Sequence, residues 1–251
     1  MGNVLTYNDD ALNILRNLKD GSVDLVVTDP PYKVISGGNK SEVWKSKYSG
    51  CVLEKNDGKI FQHNDIEFKD WLPEVYRVLK DGTHFYCMTN VLNLSKIIQE
   101  AEKVGFYLHN ILVWEKNNIS TNRWYMKNCE FVLFFKKGKA KTINNPSSKM
   151  VHKFNNPTGK KLHPTEKPVE LMEMYVLNSS NEGELVLDPF MGSGTTAYAA
   201  KKLGRHYVGI ELSEEYCTMA EERVGTLNKT TNPTPSLDMY LSPNQNAEIS
   251  R

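Results

Sequence analysis

Three short stretches carry residue types whose spacing could do chemistry. DPPY, residues 29–32, directly follows the apolar run VDLVV and puts a carboxylate, two prolines and a phenol ring at the end of a buried strand. DPFMGSGTT, residues 188–196, repeats the plan with an apolar strand, Asp-Pro and then two glycines. HPTEKPVEL, residues 163–171, lies between them. Two strand ends built this way suggest two halves of one active site. In open α/β sheets a glycine turn lets backbone amides at a helix N-terminus approach polar ligand groups, and Gly192 and Gly194 fit such a turn. Glu211 ends the next strand, where an acid can accept both hydroxyls of a ribose. A P-loop reading of GSGTT fails because no lysine precedes Thr195. A dehydrogenase would carry its glycines after the first strand, whereas here they come late. The bland alternatives are a strand-ending turn with an exposed acid for DPPY, and for HPTEKP a helix start with Thr165 as N-cap and Pro168 in the first turn.

These residues need elements to hold them. DALNILRNL has Leu12, Leu15 and Leu18 at helical spacing, and SVDLVVTD reads as a strand buried on both faces. DIEFKDWLPEVYRVLKDG sets Phe68, Trp71, Leu72, Val75, Val78 and Leu79 on one helical face before a glycine stop, with the strand THFYCMT after it. VLNLSKIIQEAEKVG predicts the next helix, and FYLHNILVWEK and CEFVLFFKKG predict two strands pairing antiparallel across a basic loop. Helix KPVELMEMYVLNSS, strand ELVLD, helix TTAYAAKKLG, strand HYVGIEL and helix SEEYCTMAEERV complete the alternation. The expected fold is a doubly wound, mostly parallel α/β sheet with an antiparallel hairpin at one edge. Residues 1–225 form the domain, 33–62 a polar, glycine-punctuated loop long enough to act as a lid, and 226–251 a mobile tail.

The chain has 251 residues and a formal net charge of +1, which says nothing by itself about partners. The distribution of charge says more. Residues 116–161 hold eleven Lys or Arg against a single acid, Glu130. Such a stretch, mixed with amides and with Trp124 and Tyr125, suits phosphates and base edges; a solvated loop with incidental lysines is the alternative. The four cysteines lack metal-ligand spacing, so no metal is expected. Short apolar runs interrupted by charges predict a cytoplasmic protein.

DPPY, HPTEKPVEL and DPFMGSGTT, in that order, resemble the motifs of the beta-class DNA amino-methyltransferases, over roughly residues 5–224. The resemblance implies a Rossmann-like methyltransferase fold with permuted motif order, S-adenosylmethionine as cofactor and DNA as substrate. It implies that Asp188, Pro189, Phe190, Met191, Gly192, Ser193, Gly194 and Thr195 hold the methionine end, and that Glu211 holds the ribose. Thr165 and Lys167 would reach the cofactor from the other side, and Asp10 would lie near the adenine, although Asp9 stands where the family usually has glycine. Asp29, which would also border the cofactor, Pro30, Pro31 and Tyr32 become the catalytic turn. An exocyclic amine is a poor nucleophile that must pyramidalise, and acceptors for both its protons favour that geometry. Asp29 offers a carboxylate and Pro30 a carbonyl, with φ fixed at Pro30 and Pro31, while Tyr32 stacks on an extruded base. An Asp at the first position of DPPY is commoner in adenine N6 enzymes, which leaves cytosine N4 as the runner-up. Protein glutamine methyltransferases usually have Asn there and the glycine turn first. A non-catalytic DNA-binding module would not need the intact cofactor motifs. Arg123, Lys127 and Lys149 are the candidate DNA contacts in a target-recognition region of residues 116–161. Relatives of this class often form homodimers and partner a restriction endonuclease.

Overall fold

A computed structural model of the chain describes residues 2–31, 66–120, 124–157, 166–227 and 240. One compact unit comprises Met1–Pro30 and Phe68–Arg251, and a second comprises Pro31–Glu67. All the elements below belong to the first. The expected lid at 33–62 lies outside the described residues, as does the tail beyond residue 227 except Tyr240, whose carbonyl accepts the Lys19 N–H at 2.9 Å.

The chain order is β1 (Val4–Asn8), α1 (Ala11–Asn17), β2 (Val23–Thr28), α2 (Phe68–Val78), β3 (Leu79–Thr89), α3 (Leu94–Lys103), β4 (Phe106–Ser120), β5 (Lys127–Lys137), β6 (Val151–Lys153), α4 (Val169–Ser179), β7 (Leu185–Asp188), α5 (Thr195–Lys202), β8 (His206–Glu211) and α6 (Glu214–Gly225). The eight strands form one sheet in the order β1-β8-β7-β2-β3-β5-β4-β6. All neighbours are parallel except β5, which runs antiparallel to both β3 and β4. The fold is therefore the doubly wound sheet that the alternation predicts.

Three local expectations need correction. The β4–β5 hairpin is not the edge: β6 lies outside it, paired parallel to β4 through Val113–Val151 and Trp114–His152. Three residues, VHK, are too few to show a period, so β6 was invisible in the sequence, and β1, a five-residue strand beside β8, was likewise not anticipated. Leu79 does not extend the helix. α2 stops at Val78, and the Lys137 ammonium, drawn in from β5, takes the carbonyls of Tyr76 and Leu79 at 2.8 and 2.7 Å. That satisfies carbonyls a helix end would leave unpaired. Gly82 then falls inside β3, with φ at +80° where the β2–β3 register shifts.

Period-two alternation assigns each strand residue to a face. Leu25 and Val27, Tyr86 and Met88, and Val132 and Phe134 join one buried cluster with Leu171, Tyr175 and Val176 of α4 and the small residues of α5. On the other face Phe85 stacks on Phe135 and meets the edge of Trp71 in α2, with ring centroids 5.5 and 6.2 Å apart. β2 is covered on both sides, and Val23, Leu25, Val26 and Val27 expose no surface. Trp71 is also fully buried and touches Phe190 in the glycine turn, at 5.2 Å between centroids. Trp71→Ala is therefore expected to cost about 3–5 kcal/mol in chemical denaturation, because the void cannot close without moving both β3 and the turn.

Candidate active site

The sheet reverses its winding between β2 and β7. After β2 the chain passes through α2 to β3 on one side, and after β7 it passes through α5 to β8 on the other. At such a switch point the two connections diverge and leave a crevice beyond the carboxyl ends, where ligands of open α/β sheets bind. The two Asp-Pro corners flank this crevice, since β2 and β7 are neighbours in register at Leu25–Val186 and Val26–Leu187. One bond ties them together: the Thr28 hydroxyl donates to Asp188 Oδ1 at 2.6 Å.

Asp188 is buried at the end of β7, and the same Oδ1 accepts the Phe190 N–H at 3.1 Å. Burial drives its pKa up to about 7, against hydrogen bonds from Thr28, Phe190 and Thr196 that favour the ionised form; the Asp29 charge adds to the rise. The turn that follows needs its glycines for two different reasons. Gly192 has φ at +55°, with open space where a Cβ would stand. Gly194 has φ at +78°, and a Cβ there would meet Cβ of Ala220 in α6 at 2.6 Å. The Met191 N–H bonds Ile210 O at 2.9 Å, and the Gly192 N–H bonds Glu211 Oε2 at 2.9 Å. Glu211 Oε1 accepts from the Ser213 N–H at 2.9 Å. Its carboxylate is thus held by two backbone donors at the β8 end, and carboxylate oxygens retain lone pairs for further donors.

Asp29 occupies the corresponding position after β2. Its Oδ2 forms an ion pair with the buried Lys167 ammonium, while Oδ1 is buried with no hydrogen-bond partner among the described residues. Burial raises its pKa; Lys167 pulls the other way, and the Glu130 charge reinforces the rise. Lys167 also lies 3.6 Å from Glu130 Oε2, and Glu130 Oε1 is paired with Lys116. Burial would lift the Glu130 pKa, but Lys167 and Lys116 outweigh it and hold it below the ordinary carboxylate range. Glu166, beside Lys167, pairs with Arg223 of α6, whose other arm donates to the Thr195 hydroxyl at 2.6 Å. That clamp fixes the segment carrying Lys167 to the first residue of α5.

Most of the sequence-nominated residues converge here. Asp188, Pro189, Met191, Ser193, Gly194 and Thr195 are buried around the turn, with Phe190, Gly192 and Glu211 half-buried beside them. Asp29, Pro30 and Lys167 stand on the β2 side of the switch point, and Pro31 begins the second unit. Asp10 lies two residues past Asn8, the register partner of Glu211, and its Oδ1 caps α1 by accepting the Leu12 N–H at 2.8 Å. Tyr32, Arg123 and Thr165 lie outside the described residues. Lys127 and Lys149 are exposed, at the start of β5 and just before β6. Thr28, Glu130 and Arg223 were missed. The first two had a signal: Thr28 is a polar residue inside an apolar strand, and Glu130 is the one acid in a basic stretch.

A doubly wound sheet with a glycine turn and a strand-end acid at the switch point is an arrangement suited to a nucleoside cofactor. A family model described as "DNA methylase" matches residues 23–222, and the chain belongs to that family. It is 32% identical to Type II methyltransferase M.HpaI of Haemophilus parainfluenzae, over 86% of this chain and 72% of the relative. It is 29% identical to Type II methyltransferase M2.DpnII of Streptococcus pneumoniae, over 90% and 91%. Among solved structures, the M1.HpyAVI–SAM complex superposes with a TM-score of 0.66 at 29% identity, covering 88% of this chain and 98% of that one. The cytosine-N4-specific PvuII DNA methyltransferase shares the fold, with a TM-score of 0.68 at 19% identity, over 92% and 89%. The chain is thus an S-adenosylmethionine-dependent DNA amino-methyltransferase of the N6/N4 family.

Asp188 has a checkable pH signature. Its folded pKa lies near 7 against an ordinary 3.8, so the stability it contributes is fully present below pH 3.8 and is lost as pH rises through about 7. Asp188→Asn keeps an acceptor for Thr28 and Phe190 without a charge to bury. Its stability relative to wild type should therefore climb between those two pH values, by at most about 4 kcal/mol in thermal melts of the apoprotein.

Proposed function

We propose that the chain methylates the exocyclic N6 amine of adenine in a short DNA sequence, with Asp29 and Pro30 as the acceptors that hold the amine protons. The observation that carries this reading is the Asp29 carboxylate: one oxygen bound by Lys167, the other buried and unbonded. A buried acceptor without a partner costs roughly 1–3 kcal/mol, and a ligand N–H placed there recovers it. The amine lone pair is freed for attack as its two hydrogens are drawn toward Asp29 Oδ1 and the Pro30 carbonyl. Tyr32, which lies outside the described residues, would stack on the extruded base.

S-adenosylmethionine supplies the methyl group from its sulfonium sulfur. The residues present fit it. Gly192 leaves open space beside its backbone, the 188–195 turn suits the methionine end, and Glu211 is the strand-end acid assigned to the ribose diol. Asp10 near the adenine, and Thr165 with Lys167 facing the cofactor, complete the reading. Adenine is preferred to cytosine because the first residue of DPPY is Asp. Residues 116–161 serve as the target-recognition region within a domain spanning 1–225, with the loop at 33–62 as its lid.

Several lysines of the basic stretch are committed to the fold: Lys137 to α2, Lys141 to Glu184 and Lys153 to Glu115. Lys127 and Lys149 are exposed and are assigned to DNA phosphates, together with Arg123. Trp124 and Tyr125, exposed by 78% and 91% at the hairpin end, would meet bases on this reading. The naming of M.HpaI and M2.DpnII as Type II methyltransferases supports a cognate nuclease as functional partner.

Two measurements test the proposal. Transfer of labelled methyl to DNA, followed by nucleoside mass analysis, should yield N6-methyladenine, and Asp29→Ala should reduce transfer by at least about 100-fold. N4-methylcytosine as the product would reverse the assignment of the base. Lys127→Gln and Lys149→Gln should each weaken DNA binding across all sequences and reduce the slope of log affinity against log salt by about 1. An unchanged slope would remove that lysine from the interface.

A further inference from the structure

Four charged side chains of alternating sign run in a line from the catalytic turn to the recognition hairpin. Asp29 pairs with Lys167, Lys167 lies 3.6 Å from Glu130, and Glu130 pairs with Lys116. Their side-chain exposures are 29%, 9%, 24% and 21%, low enough that these contacts are weakly screened. Glu130 stands near the start of β5 on the residue before Phe131, which pairs with Thr89 at the end of β3. Because β5 runs antiparallel, its beginning lies at the same end of the sheet as the carboxyl ends of β2 and β7. Lys116 reaches Glu130 from β4, with its ammonium 4.9 Å from the Trp114 ring centroid, and Trp114 is directly opposite Glu130 in the ladder.

We infer that Glu130 is a positioning residue for methyl transfer: it shares the Lys167 ammonium with Asp29, keeps that ammonium on Oδ2 so that Oδ1 faces the amine, and ties this arrangement to the hairpin through Lys116. The inference rests on Asp29 being the amine acceptor. Its physical content is a balance of charge. Lys167 alone would draw electron density from Asp29 and make it a poor acceptor, and a second carboxylate on the same ammonium offsets that pull. Among the described residues, the charged or titratable groups facing Asp29 are Lys167 ahead of α4, Glu130 and Lys116 of the hairpin, Asp188 of β7 and the Cys87 thiol of β3. Glu130 raises the Asp29 pKa and Lys116 lowers it.

The test is kcat and KM for S-adenosylmethionine and DNA across pH, with the full-length chain, for wild type, Glu130→Gln, Glu130→Asp, Lys116→Met and Asp29→Ala. Glu130→Gln should lower the plateau kcat on the order of 10-fold and move the acid limb of the profile to lower pH, with KM for the cofactor little changed. Glu130→Asp should restore part of both. Lys116→Met should move the acid limb the opposite way, to higher pH, and it keeps the inference open to refutation should Glu130→Gln fail to fold. A purely packing role would lower the melting temperature and leave both limbs in place. Wild-type kcat and an unmoved acid limb in Glu130→Gln, or an unmoved limb in Lys116→Met, beside an inactive Asp29→Ala, would overturn the inference alone. Undiminished transfer by Asp29→Ala would overturn the reading of Asp29 and this inference with it.

Discussion

Two carboxylates at the ends of adjacent parallel strands, both drawn away from water, set the constraint that the rest of the site answers. Isolated ionised carboxylates in such a place would be prohibitively costly, and neighbouring ones repel. The chain treats the two differently. Asp188 is hydrogen-bonded by Thr28 and Phe190 and has its pKa pushed up to about 7, so it binds its surroundings as a neutral or hydrogen-bonded acid. Asp29 is given a buried ammonium on one oxygen, and the other has no partner among the described residues. Two similar residues at neighbouring strand ends are therefore held in different ways, one by hydroxyl and amide donors and the other by an ammonium.

The glycine turn obeys the same logic at the level of backbone. Its two left-handed residues fold the chain back so that Met191 and Gly192 donate to Ile210 and Glu211 of the next strand. Gly194 also lets α6 approach closely enough to bring Arg223 onto Thr195 and Glu166. The helix packing thereby positions the segment that carries Lys167. The hairpin contributes from the opposite side through Glu130. The surroundings of Asp29 are thus assembled from segments that are far apart along the chain.

How much of this was legible differs from residue to residue. VDLVV announced a strand buried on both faces because a short β-branched apolar run, broken only by Asp24 and bounded by turn residues, reads that way. The α2 face of Phe68, Trp71, Leu72, Val75 and Val78 was equally plain, and all five are buried. The end of α2 was not, because a lysine 58 residues beyond Leu79 takes over the terminal carbonyls and lets the strand begin at once. β6 escaped because three residues held by one neighbour carry no periodic signal. Counting charge marked residues 116–161 as basic, yet Lys137 and Lys141 are bound into the fold, a distinction that charge counting cannot make.

The sequence by itself determined the parts: which strands end in Asp-Pro corners, which turn requires glycine, and which acid closes the following strand. These are local matters, since φ restriction, strand length and the placement of a carboxylate after an apolar run depend only on near neighbours. Tertiary structure alone decided that β2 and β7 are adjacent, that Thr28 bridges their corners, and that Lys167, Glu130 and Lys116 line up behind Asp29. Contacts such as Thr28–Asp188, 160 positions apart, arise from sheet order and helix packing, which the whole chain sets together.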